Sequence, residues 1–155
     1  MNSLDDLIPP GGVLYGLAAA DKRGLLRQLS SHAAALTGHD PAEVFELIAE
    51  RERLGTTGFG GGTAIPHAKL GLLPGVVAVV AKLAAPVDFE ALDGVPVDLV
   101  VLMLAPVGAG GDHLKALARV SRVLRDRELV GKLRACLSAD ALLAVLTHSQ
   151  QSRAA

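Results

Sequence analysis

The sequence predicts an α/β (α+β) protein, a three-layer α/β/α sandwich in which a mixed sheet lies between helical layers. Three features carry that expectation. Residues 76–83 and 97–104 are nearly continuous runs rich in valine and leucine, the composition of strands covered on both faces. Stretches with apolar residues at helical spacing stand before and after them, and each needs a surface on which to bury its stripe. The order along the chain, β-α-α-β-β-β-α-α-α, lacks the strict alternation of a doubly wound parallel fold, so the sheet should be mixed.

Residues 1–11 read as a loose lead-in, and residues 13–15 as a short strand. Asp21 can cap a helix running to about Thr37, with Leu25, Leu26, Leu29, Ala33 and Leu36 on one face and Gly38 as its stop. A second helix starts with Asp40 at the cap, Pro41 in the first position and Glu43 in a capping-box place. Its apolar face is Val44, Phe45, Ile48 and Leu54, and Gly55 ends it. Strands follow at residues 63–65, 76–83 and 97–104. The stretch 86–89 between the last two reads as extended and Leu92-Asp93-Gly94 as a turn. A second glycine loop at 108–111 leads to a helix capped by Asp112, with Leu114, Leu117, Val120, Val123 and Leu124 inward. A short helix at about 128–136 and another from Ser138 to about Leu146 complete the chain, with a frayed tail after His148.

A length of 155 residues suits one domain, 1–155, with an ordered core of about 12–148. Half the residues are hydrophobic, which sets disorder aside. Fifteen basic and 16 acidic residues give a formal charge of −1, and aromatics make up 3%. Neither an electrostatic draw for nucleic acid nor a set of stacking platforms is present, so no nucleic-acid partner is expected. Cys136 is the single cysteine, so an intramolecular disulfide and a multi-cysteine zinc site are both impossible. No Lys or Arg precedes Lys22, unlike a signal peptide, and no apolar run nears the roughly 20 residues of a spanning helix. A soluble cytoplasmic protein without membrane insertion is the expectation.

Chemistry concentrates in residues 51–70, RERLGTTGFGGGTAIPHAKL. A charged helix end runs into a loop with five glycines, and an apolar step then delivers Pro66 and His67. Proline fixes its own φ, so the imidazole behind it has a defined direction for work as nucleophile, base or ligand. The alternative is a histidine in a turn, hydrogen-bonded and inert. Nucleotide binding is disfavoured: there is no GxxxxGK[ST], Thr63 stands where a dinucleotide loop needs Gly or Ala, and the loop runs from helix into strand. His32, His39, His113 and His148 form no paired ligand spacing, so no metal is expected, and no cofactor is implied. Arg51 and Arg53 close a helix, where cations favour the dipole, yet a guanidinium there could also fork onto an oxyanion. His113 at a helix start is either solvent-facing or a donor to an anion at that end. A nucleophilic histidine, an arginine, a second histidine and free loop amides together make a phosphoryl site.

The stretch from Arg51 to His67, ending in Ala64-Ile65-Pro66-His67, resembles the active-site signature of enzyme IIA proteins of the bacterial phosphotransferase system, fructose/mannitol class. It is most similar to the nitrogen-regulatory branch. The similarity runs from about residue 13 to 146 and includes residues 89–99 and the helix with His113. The resemblance implies that His67 accepts a phosphoryl group from a phosphohistidine on a small phosphocarrier of the nitrogen-branch relay. It places Arg51 and His113 as the catalytic companions, and Thr57, Thr63 and Gly62 around the phosphate. Regulatory targets such as transporters or kinases would then sense the phosphorylation state. A fructose or mannitol IIA that passes phosphate to a IIB partner is the first alternative, and an interaction module that keeps only the fold is the second. Ala68 stands where such proteins usually have glycine, which is tolerable unless φ is positive. Phe59, Leu70, Leu72 and Leu73 are expected to form an apolar docking surface around His67.

Overall fold

Asp21 and Asp40 start the two helices of the first layer. The computed structural model describes residues 4–154, with side chains through residue 147. After strand β1 (Val13–Leu17), the Asp21 carboxylate accepts the Gly24 N–H at 2.7 Å and opens α1 (Lys22–Thr37). Such a cap contributes about 1 kcal/mol. Gly38 closes α1 in the left-handed conformation, and Asp40 then caps α2 (Pro41–Arg53) through the Ala42 N–H.

The sheet contains β1, β2 (Gly58–Gly60), β3 (Thr63–Ala64), β4 (His67–Lys69), β5 (Val77–Val87) and β6 (Val97–Ala105). Its order is β1-β5-β6-β3-β2, with β4 also on β6. The β1/β5, β3/β6 and β4/β6 pairs are parallel, whereas β5/β6 and β2/β3 are antiparallel, so the sheet is mixed. Two short strands go beyond the sequence expectation. The glycine loop folds as a hairpin that pairs Gly58 with Ala64 and Gly60 with Thr63. Beyond it, β3 breaks at Ile65-Pro66, because proline has no N–H for the ladder, and pairing with β6 resumes at His67.

Alternation along β5 and β6 divides the core. Val79, Ala81, Leu83, Val100, Leu102 and Leu104 pack with α1 and α2. Ala78, Val80, Leu99, Val101 and Met103 face the other layer, α3 (Gly111–Arg125), α4 (Arg127–Ala135) and α5 (Ala139–Ala154). Asp126 and Ser138 cap the last two helices through Leu129 N–H and Ala141 N–H. The tail side chains from His148 onward lie outside the described residues.

Four local expectations are corrected. The lead-in is packed: Leu4 and Leu7 are buried in the second core half, and the Leu7 carbonyl accepts the Ala78 N–H at 2.8 Å. Leu54 follows the last helical residue of α2 and is 80% exposed instead of inward. Asp112 does not cap α3; Gly110 precedes the helix without a side-chain cap, and Asp112 lies in the first turn. Leu114 is 69% exposed: in the first turns of α3 His113 and Ala116 take the inward places expected of Leu114 and Leu117, while Val120, Val123 and Leu124 are buried as expected.

Candidate active site

Strand β4 aims His67. Its backbone lies opposite Met103 of β6, and the neighbouring Ala68 is buried in the α1/α2 half of the core, so alternation turns His67 toward the side of α3. Ala68 is not among the residues with positive φ, so its methyl is accommodated without strain. The His67 ring is half-buried, and its Nδ1–H donates to the Ile65 carbonyl at 2.8 Å. A carbonyl can only accept, so the neutral ring carries its proton on Nδ1 and its lone pair on Nε2. No hydrogen bond engages Nε2 among the described residues.

His113 enters from α3. It is 8% exposed, its ring centroid lies 5.6 Å from that of His67, and the planes meet at 84°. Its Nε2 is buried without a hydrogen-bond partner. The reading of a solvent-facing first-turn residue is thereby overturned: His113 takes the inward place of its helix.

Burial holds the His67 ring below the ordinary histidine value, and the Arg51 charge adds to the effect; the bond to Ile65 and the Glu52 charge oppose it. His113 is lowered by burial first, then by His67 and Lys69. Both rings are therefore neutral near pH 7. Arg51 acts on His67 through its charge from the last turn of α2, and its Nη1 donates to the Gly55 carbonyl at 3.0 Å.

The glycine loop is held by a carboxylate that the sequence reading passed over. Glu52 is buried; it accepts the Thr57 N–H at 3.1 and 3.2 Å and the Thr57 hydroxyl, and Lys22 approaches it at 2.9 Å. The signal was present: Glu52 follows Val44 and Ile48 at four-residue spacing, so a charged residue occupies a core-facing place. Thr57 is buried, and its carbonyl accepts the Ile65 N–H at 3.1 Å, which places it two residues from His67 on the facing segment.

Thr63 and Gly62 lie elsewhere. Thr63 pairs with Leu99 and His67 with Met103, four residues apart on β6, or about 13 Å along the strand. The Thr63 hydroxyl is buried and donates to the Gly60 carbonyl at 2.9 Å. Gly62 has φ of +78°, and a Cβ there would meet the Arg134 guanidinium at 2.5 Å. Arg134 also binds Asp98 and donates to the Gly61 carbonyl at 2.6 Å, so it seals this end of the hairpin. The structure thus gathers His67, His113 and Thr57, with Arg51 in electrostatic reach, and leaves Thr63 and Gly62 at the far end. Of the docking residues, Leu70 and Leu73 are buried in the core and Phe59 is half-buried; Leu72 is exposed, at 96%.

No helix of the described residues is long and apolar enough to cross a membrane. Among the same residues no group of three or more His, Cys, Asp or Glu is placed to hold a metal ion.

Known proteins match this sequence and fold over most of the chain. A nitrogen regulatory protein of Bradyrhizobium diazoefficiens is 50% identical over 143 residues, covering 92% of this chain and 94% of that protein. One from Pseudomonas aeruginosa is 36% identical over 154 residues, covering 99% and 100%. The crystal structure of nitrogen regulatory protein IIA-Ntr from Neisseria meningitidis superposes with a TM-score of 0.87 at 28% identity, covering 93% of this chain and 99% of that one. The crystal structure of IIA mannitol from Escherichia coli shares the fold, with a TM-score of 0.72 at 22% identity, covering 89% and 97%. Residues 7–149 match the family model described as phosphoenolpyruvate-dependent sugar phosphotransferase system, EIIA 2. With relatives of this likeness over nearly its full length, the chain belongs to the EIIA 2 family of the phosphotransferase system and is a IIA protein of the nitrogen-regulatory kind.

Proposed function

We propose that His67 Nε2 accepts a phosphoryl group from a phosphohistidine on a small phosphocarrier, and that the chain regulates its partners through the resulting charge. The observation that carries this reading is the His67 ring itself, with Nδ1–H fixed on the Ile65 carbonyl and Nε2 unengaged beside a second imidazole. In the transfer, the N–P bond of the donor breaks as the Nε2–P bond forms. The donor imidazole, protonated on its other nitrogen, leaves as a neutral ring, and the His67 proton stays on Nδ1, donating to the Ile65 carbonyl. His113, with an unpartnered Nε2, supplies a donor for a phosphoryl oxygen, and Arg51 swings its charge toward the same group. Thr57 serves by holding the loop, since its hydroxyl proton is committed to Glu52. Thr63 and Gly62 serve by closing the hairpin.

Phosphorylation places about −1.5 to −2 charges on this face. Partners such as transporters or kinases would read that change, and the relay would operate in the cytoplasm. Passing the group to IIB for sugar uptake has less support, because the long-span relatives are nitrogen regulatory proteins. The chemistry is tested by incubation with phosphoenolpyruvate, the first enzyme of the relay and its phosphocarrier, followed by ³¹P and ¹⁵N NMR. Phosphate on Nε2 of His67 is expected; phosphate on Nδ1, or on another residue, overturns the reading.

A further inference from the structure

A chain of four hydrogen-bonded contacts leads from a buried ion pair to the tautomer of His67. Lys22 Nζ lies 2.9 Å from Glu52 Oε2. The Glu52 carboxylate accepts the Thr57 N–H at 3.1 Å, the Thr57 carbonyl accepts the Ile65 N–H at 3.1 Å, and the Ile65 carbonyl accepts Nδ1–H of His67 at 2.8 Å. We infer that Glu52, held by Lys22, is a positioning residue that sets the orientation, tautomer and basicity of His67 through Thr57 and Ile65.

Three features support the inference. Glu52 is buried on the inward face of α2, and a carboxylate is retained in such a place only when its oxygens are engaged. Here they are: the Thr57 amide, the Thr57 hydroxyl and Lys22 surround it. The loop is also gripped from outside, so the carboxylate acts on a segment with little other freedom. The Thr56 hydroxyl donates to the Phe89 carbonyl at 3.2 Å, the Gly58 carbonyl accepts the Leu92 N–H at 2.9 Å, and Lys22 Nζ sits 4.6 Å from the Phe89 ring centroid. Finally, Glu52 and Arg51 are neighbours in sequence with opposite charges, and both act on His67. The charged and titratable groups around that ring are Arg51 and Glu52 from α2 and His113 from α3, with Lys69 of β4 acting on His113. Among these groups Glu52 is the anion that opposes Arg51 and burial, so it keeps the imidazole basic enough to attack phosphorus while they keep it neutral.

This inference deepens the phosphoryl-acceptor reading and rests on it for its purpose, but its test uses the unphosphorylated protein. Long-range ¹H–¹⁵N correlations of the imidazole rings report the tautomer and titration midpoint of His67 in wild type, Glu52→Gln and Lys22→Met. Glu52→Gln keeps the side-chain shape and removes the charge; it should lower the midpoint by about half a pH unit and mix the tautomers. Lys22→Met leaves Glu52 uncompensated and should move the midpoint upward by a smaller amount. Mixed tautomers in Glu52→Gln together with opposite midpoint shifts are what a positioning role demands; opposite shifts with the Nδ1–H tautomer retained would reflect the through-space charge of Glu52 alone and overturn it. Unchanged midpoints, or shifts of one sign, overturn the inference. If Glu52→Gln does not fold, Lys22→Met alone decides: a raised midpoint with mixed tautomers supports the role, and an unchanged or lowered midpoint, or a retained tautomer, rejects it. Failure of phosphorylation in the wild type would instead strike the acceptor reading and leave these titrations standing.

Discussion

The His113 ring stands edge-on to the His67 ring, 5.6 Å between centroids, with its own Nε2 buried and unpartnered. A buried ring nitrogen without a partner is a cost in the resting protein, and in the Nε2–H tautomer a phosphoryl oxygen would relieve it. His113→Gln and Arg51→Ala should each slow acceptance from the phosphocarrier about 10²-fold. Circular dichroism should show both variants folded. Wild-type rates measured by quench-flow in both would refute the assigned roles.

The pH profile follows from the lowered value of His67. A histidine whose folded value lies below the unfolded one binds fewer protons folded than unfolded between the two. Stability therefore rises with pH through that window and is lost as pH falls below about 6.5. Acceptance needs the neutral ring, so its rate should be level at pH 7–8 and turn down only below about 6.5. An inflection at or above the ordinary histidine value would contradict the environment described for the ring.

How much of this was legible beforehand is clearest at individual residues. The strands around Val80 and Val101 and the caps Asp21 and Ser138 follow local rules, periodicity and side-chain capping, which a sequence displays openly. His67 was legible because Pro66 and the glycines mark it. What was not legible was how the segment around His67 extends and which inward places are polar. Thr63 and Gly62 stand four and five residues before His67, and because the chain between runs extended along β6, Thr63 lies about 13 Å up the sheet. Glu52 and His113 are both polar residues in the inward place of a helix; the sequence reading passed over Glu52 and named His113 as a site residue while leaving open whether it faces solvent.

The far end of the hairpin should behave as structure. Gly62→Ala places a methyl at positive φ against Arg134 and should cost about 1–3 kcal/mol in chemical denaturation, while the folded fraction still accepts phosphate. Thr63→Val should cost about 1 kcal/mol for the lost bond to Gly60, again without a rate defect. Loss of transfer at unchanged stability in either variant would return these residues to the phosphate site.

Leu72 combines two costs, 96% exposure of a large apolar side chain and a φ of +61°, on the segment that follows β4. Such strain at a surface points to a contact with a partner. Leu72→Asp should slow transfer from the phosphocarrier about tenfold with the melting temperature unchanged or raised. Calorimetric titration of regulatory partners should likewise give different affinities for the phosphorylated and unphosphorylated forms. Equal affinities for all partners tried would remove the regulatory part of the proposal.

The acceptor claim is tested most directly by intact mass after incubation with phosphoenolpyruvate, the first enzyme of the relay and its phosphocarrier. Wild-type protein should gain one phosphoryl group, about 80 Da, that acid removes, as expected of a phosphohistidine. His67→Ala should gain nothing. An equal gain in His67→Ala, or none in the wild type, would contradict the account.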